Sequence, residues 1–323
     1  MTHVLPATQG GRTYHDQPNW RKIQSHLPAR WQLTENALPD EEHWAWRGHL
    51  VHVDRYPRPD APVKLVQLHG VGTNGRMMTT ILGAPLRDRG VEPIAIDLLG
   101  YGETVVASGH NPTYDDWIDQ VVDFLAYERT RDPRPIVLYG LSAGGMLAYH
   151  AACVDRAVAG IVGMCFMDQR VAAVRRQTAR FRLLGAHAPL LMRVAARAAG
   201  RVRLPMALVS KMSALVNSDA ALKDCLADPT SAGNAVSTRF LAAISNVTPA
   251  VEPEDFDVCP ILLTQPTQDR WTPLETSTGF LDRIARVPVP KVLLDRAGHY
   301  PIEEPGLSQM HEAIARFCEG AAQ

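Results

Sequence analysis

Ser142 stands in Gly140-Leu141-Ser142-Ala143-Gly144, directly after the apolar run Pro135-Ile136-Val137-Leu138-Tyr139 and directly before Gly145-Met146-Leu147-Ala148-Tyr149-His150-Ala151-Ala152. The run reads as a strand and the following segment as a helix. The glycines are what so sharp a strand-to-helix bend requires. A serine on such a corner stands clear of the sheet above a helix N-terminus. Its alcohol is a poor nucleophile at neutral pH, so it needs a base within hydrogen-bond reach and a third group to orient that base. Both types occur downstream. Asp269 lies in Thr264-Gln265-Pro266-Thr267-Gln268-Asp269-Arg270-Trp271-Thr272-Pro273, and His299 in Asp295-Arg296-Ala297-Gly298-His299-Tyr300-Pro301, each just after a strand-like run. A lone Asp or His would read as a turn or structural residue; the three in order, at the carboxyl ends of strands, read as a nucleophile, its acid and its base. Asp168, after the strand ending at Met164, is a rival acid, whereas Asp257 and Asp295 look structural.

Attack on a carbonyl also requires N–H donors aimed at the developing oxyanion. One is assigned to Ala143, at the start of the elbow helix. The other is assigned to Val71, with Gly72 as the alternative, in Leu68-His69-Gly70-Val71-Gly72-Thr73-Asn74-Gly75-Arg76. His69 reads as a residue that holds this loop by hydrogen bonding backbone rather than as a second base.

The elements that must position these groups follow from periodicity. Residues 1–42 are polar and irregular, with Trp20 and Trp31 as anchors onto the body. Trp44-Ala45-Trp46 and Leu50-Val51-His52-Val53 resemble a hairpin about Arg47-Gly48-His49. His43, His49 and His52 are read as surface histidines of that hairpin, with no acid in register for a metal. Apolar runs at 63–68, 93–96, 136–139 and 158–164 alternate with helical patterns, which implies a mostly parallel sheet covered on both faces. The clearest helix runs from Tyr114 to Arg129, with Thr113 and Asp116 as a capping box. Residues 166 to about 250 contain no convincing strand and read as short helices broken near Gly185, Pro189, Gly200, Pro205 and Pro229. Strands resume at 261–264 and 291–294, and a last helix spans roughly Leu307 to Phe317.

At 323 residues and a net charge of −1, the chain suits one large α/β domain, or one with an insert, and has no global field for nucleic acid. Its five cysteines are scattered and odd in number, which fits reduced thiols and argues against a disulfide framework or a structural zinc site. No secretory signal follows Met1 and no membrane span is expected, so the expected location is cytoplasmic.

These residues resemble the α/β-hydrolase superfamily, and within it the branch of monoacylglycerol lipases, lysophospholipases and their bacterial relatives. His69-Gly70-Val71-Gly72 with Arg76 is similar to the oxyanion loop. Asp97-Leu98-Leu99-Gly100-Tyr101-Gly102-Glu103-Thr104 is similar to a structural Asp-x-x-Gly-x-Gly-x-Ser turn, with Thr104 in place of serine. Gly140 to Gly145 matches the nucleophile elbow, with Leu141 where histidine is common, and the segments around Asp269 and His299 match the acid and base. The resemblance implies an α/β-hydrolase core at 43–165 and 251–323, a helical cap at 166–250 inserted after the sixth strand, and an N-terminal extension at 1–42. An elbow serine, where haloalkane dehalogenases and epoxide hydrolases carry aspartate, excludes those chemistries.

Between Asp168 and Lys211 ten Lys or Arg face one acid, a local net of +9. The bland reading is a solvated basic face over an apolar face on the pocket; the sharper one is a surface for anionic lipid or an anionic headgroup. The expected activity is hydrolysis of a small-molecule carboxylic ester with an apolar acyl part, through an acyl-enzyme and without cofactor or metal. The same residues would serve a thioesterase, lactonase, amidase, aminopeptidase or acyltransferase. A ligand-binding protein that kept the shape without turnover is the alternative of another class.

Overall fold

In the computed structural model, residues 4–6 and 11–322 are described; residues 1–3, 7–10 and 323, part of the expected extension and the last residue, lie outside them, as do the side chains of 4–6, Arg182, Leu184 and Ala186. Eleven strands are β1 (Val4–Pro6), β2 (Asp40–Trp46), β3 (His49–Arg55), β4 (Val63–Leu68), β5 (Val91–Ile96), β6 (Ile136–Leu141), β7 (Gly160–Met164), β8 (Arg203–Pro205), β9 (Ala235–Ser237), β10 (Ile261–Pro266) and β11 (Lys291–Leu294). Nine of them form one sheet in the order β1-β2-β3-β5-β4-β6-β7-β10-β11. From β5 to β11 all neighbours are parallel, while β1, β2 and β3 form an antiparallel margin. The apolar runs of β4, β5, β6 and β7 are buried along their whole length, as parallel strands sandwiched between helices must be. The helix Tyr114–Arg131 carries the expected Thr113–Asp116 capping box and buries Trp117, Val121, Phe124 and Leu125.

The hairpin turns through Arg47 and Gly48, both at positive φ (46° and 82°), with Trp46 opposite His49. Its first strand starts at Asp40, four residues earlier than the apolar pattern suggests, because Glu41 and His43 are held by partners rather than by water. The extension is not irregular throughout: Asn19–Gln24 is a helix that buries Trp20 and Ile23.

Between β7 and β10 the chain leaves the sheet. Two details of this stretch differ from the sequence reading. Gly185 and Pro189 do not break a helix; one helix runs from Arg182 to Ala199 through both and stops at Gly200. Pro189 is tolerated in its second turn, where one hydrogen bond is forgone, and Gly185 is where the helix comes close to Arg175 O of the preceding helix Ala172–Thr178 and to Cβ of Ala179, just past its end. The stretch also has strands, β8 and β9, paired antiparallel in a ribbon too short to show alternation. Among the described residues no helix is long and apolar enough to cross a membrane.

The extension fastens separate parts together. Gln17 donates to Asp228 Oδ1 (3.1 Å) and Thr230 Oγ1 (3.0 Å), and His26 lies 2.7 Å from Asp224 Oδ2. Trp31 Nε1 donates to Glu304 Oε1 (2.7 Å), five residues beyond His299.

Candidate active site

β6 lies between β4 and β7, and its end carries the bend. Ser142 takes φ 58° and ψ −119°, a strained backbone conformation for a residue with a side chain, costing roughly 1–3 kcal/mol. The bend is held by Ser142 N–H donating to Met164 O (2.8 Å) and Gly145 N–H donating to Ser142 O (2.9 Å). Glycine is obligatory beside it, since a Cβ on Gly140 would lie 2.1 Å from Gly144 O and one on Gly144 2.4 Å from Leu68 O. Ser142 Oγ is buried at the start of the elbow helix Ala143–Asp155, without a hydrogen-bond partner among the described residues.

Asp269, after β10, and His299, after β11, meet: His299 Nδ1 is 2.9 Å from Asp269 Oδ2. The acid also accepts from Trp271 N–H (2.8 Å) and Thr272 N–H (2.8 Å) at Oδ1, and from Thr272 Oγ1 (2.7 Å) at Oδ2. Burial pushes this carboxyl up, but the interaction with His299, with the bonds from Thr272, outweighs it and holds the group below the usual carboxylate range. A carboxylate facing Nδ1 places the imidazole proton there and leaves Nε2 as an acceptor. His299 Nε2 is buried without a partner, and the ring packs against Trp271 at a centroid distance of 4.7 Å. Thr272, whose Oγ1 also stands 3.0 Å from His299 Nδ1, escaped the sequence reading. The signal available was its place three residues after the acid, the spacing at which a hydroxyl and an N–H can fold back on a carboxylate.

The rival acid is engaged elsewhere. Asp168 receives Arg170 Nε (3.0 Å), Nη2 (2.9 Å) and backbone N–H (2.9 Å), and Arg170 reaches on to Glu252.

The loop after β4 runs against the serine so closely that a Cβ on Gly70 would sit 2.9 Å from both Ser142 Cβ and Leu141 O. His69 holds this loop: Nδ1 is 2.8 Å from Gly70 O and Nε2 accepts from Leu98 N–H (3.0 Å), a neutral tautomer that burial favours by lowering the imidazole pKa. Tyr101 Oη donates to Val71 O (3.0 Å). Among the described residues the N–H groups of Val71 and Ala143 have no acceptor. Gly72 faces Met212 and Leu215.

Val71, Ser142 and Ala143 form one end of a cavity of about 230 Å³. Leu191, Met192, Phe240, Leu241 and Ile244 also line it, with Trp271 as the link to His299, and Arg175 adds a charged side chain. Among the described residues no aspartate or glutamate lines it. A smaller pocket shares Ala143 and Met167 with it and adds His150 and Asp168. Burial pushes His150 down to about 4, so its ring is neutral there. The structure thus joins Asp269 to His299 and gathers Ser142, Val71 and Ala143 about one cavity; Ser142 Oγ makes no hydrogen bond to His299.

The hairpin histidines are not on the surface. His43, His49 and His52 are all buried: Arg12 and Tyr14 of the extension lie against His43 and His52, Trp46 and His110 pack on His49, and acids face His52. His52 Nε2 is 2.7 Å from Glu41 Oε2 and Nδ1 is 3.2 Å from Asp97 Oδ2. Burial alone would lower this imidazole, but the bonds to Asp97 and Glu41 raise it to about 10, so both ring nitrogens carry protons. Arg76 lies beside it, with Nε and Nη2 donating to Asp54 (2.6 and 2.9 Å). Tyr14 Oη donates to Asp97 (2.9 Å), and Gly75 and Glu103 N–H groups donate to the same carboxylate. Glu41, His52 and Asp54 come within metal-ligating range of one another, yet they do not fit a metal: the imidazolium and the guanidinium already supply the positive charge, and His52 has no lone pair to offer.

The sequence from 65 to 316 matches the model of the alpha/beta hydrolase family. A stretch of 109 residues is 28% identical to mouse protein phosphatase methylesterase 1, taking in 34% of this chain and 28% of that protein. The chain spans between 2% and 28% of the length of the curated relatives it matches. In structure it is similar to a soluble variant of monoglyceride lipase from Saccharomyces cerevisiae in complex with a substrate analog (TM-score 0.73, 15% identity, 92% of this chain and 99% of that one). It is also similar to the monoacylglycerol lipase of Paleococcus ferrophilus (TM-score 0.65, 17% identity, 84% and 99%).

Proposed function

The chain belongs to the alpha/beta hydrolase family, and on that footing we propose that it is a serine hydrolase cleaving a carboxylic ester with an apolar acyl part. The observation that carries this reading is an unpartnered serine oxygen on a strained elbow, opening into an apolar cavity, with a buried Asp269–His299 pair whose free nitrogen has no other partner. In the reaction Ser142 Oγ attacks the ester carbonyl while His299 Nε2 takes its proton. Apo sites commonly leave this hydrogen bond unmade until substrate arrives. The N–H groups of Val71 and Ala143 receive the oxyanion, each worth about two to three powers of ten in rate. His299 returns the proton to the departing alcohol, and a water that it then activates releases the acid. Asp269 orients the imidazole and stabilises its charge.

An uncharged or anionic substrate is favoured over a cationic one because, among the described residues, no carboxylate lines the cavity to hold an ammonium, whereas Arg175 does line it. Of the acids an aminopeptidase could use later in the chain, Asp219, Asp224 and Asp228, none lines the cavity, and Asp224 and Asp228 are engaged with His26 and with Gln17, Thr230 and Ser231. Support for a lipid-like ester and for peripheral contact with lipid comes from the surface: of eleven large apolar side chains that are exposed among the described residues, eight fall between Val171 and Leu208, and Phe181, Leu191 and Leu208 among them also line the cavity. The test is labelling by a fluorophosphonate and turnover of p-nitrophenyl esters of graded chain length. Labelling at Ser142, lost in Ser142→Ala together with turnover, is expected. A folded wild type that is neither labelled nor active would overturn the reading in favour of a ligand-binding protein. Activity confined to the shortest acyl chains would overturn the lipid-like part alone.

A further inference from the structure

We propose that the cleft between the long cap helix and the core loop at 109–113 is a binding site for a phosphate-bearing anion, held by Arg193, Arg197, Arg201 and Arg239. All four line this cleft, and the loop Gly109–Thr113 forms its other side. Sixteen arginines among the described residues pair with a carboxylate, fifteen of them outside residues 166–250. The four that line this cleft are not among them. Arg193 bonds only the amide oxygen of Asn246, and Arg201 only the backbone carbonyl of Gly109. The guanidinium groups of Arg197 and Arg239 have no hydrogen-bond or ion-pair partner among the described residues. The single acid on the cleft, Asp116, is occupied by Thr113 and lies 3.3 Å from His110.

Local physics does not account for this charge. Arg193 and Arg197 are one turn apart and repel. Arg197 sits in the last turn of its helix, where the dipole welcomes a cation, but Arg239 is the second residue of the helix Thr238–Asn246, where the dipole opposes one. An anion seated between them would reverse both penalties, and the planar fork of arginine suits the oxygens of a phosphate group. The two helices that carry Arg193, Arg197 and Arg239 present Leu191, Met192, Leu241 and Ile244 to the cavity beside Ser142. An anion bridging them to the core loop would brace the wall of that cavity.

The phosphate could be that of a soluble molecule or of a lipid headgroup, and one experiment separates the two. Inorganic pyrophosphate is titrated into the full chain by calorimetry, and binding to phosphatidic acid vesicles is compared with binding to phosphatidylcholine vesicles. Each is repeated with Arg197→Gln/Arg239→Gln and with Arg176→Gln, an exposed cap arginine away from the cleft. Circular dichroism melts verify that the variants fold. Pyrophosphate binding weakened about tenfold or more in the double variant and unchanged in Arg176→Gln supports a soluble ligand. The same pattern with phosphatidic acid alone supports a lipid phosphate. No binding of either probe, or equal loss in Arg176→Gln and the double variant, overturns the proposal. Neither readout requires turnover, so failure here is distinct from failure of the esterase reading.

Discussion

Replacing Asp269 by Asn is the sharpest perturbation of the site. The carboxylate accepts four hydrogen bonds, two at Oδ1 from the N–H groups of Trp271 and Thr272 and two at Oδ2 from His299 and Thr272 Oγ1. In Asp269→Asn the amide oxygen is kept at Oδ1, since two N–H groups would otherwise meet an NH2. The NH2 group then faces His299 Nδ1 and donates to it. The imidazole proton is driven to Nε2, and the nitrogen that should take the Ser142 proton becomes a donor. Substitutions that trap the wrong tautomer lower kcat by roughly 10⁴, which is about 5 kcal/mol of transition-state stabilisation. The backbone bonds at Oδ1 survive, so the fold should persist. The assay is kcat for a p-nitrophenyl ester from pH 5 to 10, with a melt at each pH. Asp168→Asn is the control: it weakens the Arg170 pair, and its kcat should stay within about threefold of wild type. An Asp269→Asn enzyme within about tenfold of wild type, or a larger loss in Asp168→Asn, would refute this account of the acid.

Thr272→Val removes one hydroxyl bond to the Asp269 carboxylate while keeping the backbone bond; a hydrogen bond to a charged group is worth about 1.5–3 kcal/mol, and a tenfold or greater fall in kcat/KM with little change in KM is expected from steady-state kinetics. Arg76→Met leaves the buried Asp54 and the half-buried Glu41 without their guanidinium, so chemical denaturation should register a loss of about 3–5 kcal/mol. Stability should fall on both sides of neutrality, as melting temperature against pH will report. His52 is raised to about 10, so its contribution is complete below its unfolded value of about 6.5 and is lost as pH climbs through 10; His52→Asn should flatten that alkaline limb. His150 and His311 are pushed down to about 4 by burial, so their contribution is complete above about 6.5 and is lost as pH falls through 4.

Local rules made the centre of the molecule legible. The elbow is a strand, a tight turn and a helix in immediate succession, and its glycines are dictated by backbone contacts within five residues or with the adjacent strand. The parallel strands announce themselves as unbroken apolar runs because both their faces are covered. What stayed hidden was decided by contacts distant in sequence. His52 looks like a surface histidine until Tyr14 and Asp97, 38 and 45 positions away, are brought against it, and nothing in the spacing of residues 11–38 says that they wrap the sheet margin. In the cap, Gly185 and Pro189 carry a helix-breaking signal that packing against Ala172–Thr178 overrides. Thr272 was passed over because its value lies in a hydroxyl direction that the sequence does not encode.

The three fastenings of the extension set an order of events during synthesis. His26 waits for Asp224, 198 positions on, and Trp31 waits for Glu304, 273 positions on. At about 5–20 residues per second, the ribosome needs on the order of 10–50 s to deliver the latter partner. Residues 17–31 are therefore made well before the partners they dock on, and the last of these fastenings closes only after residue 304 has emerged.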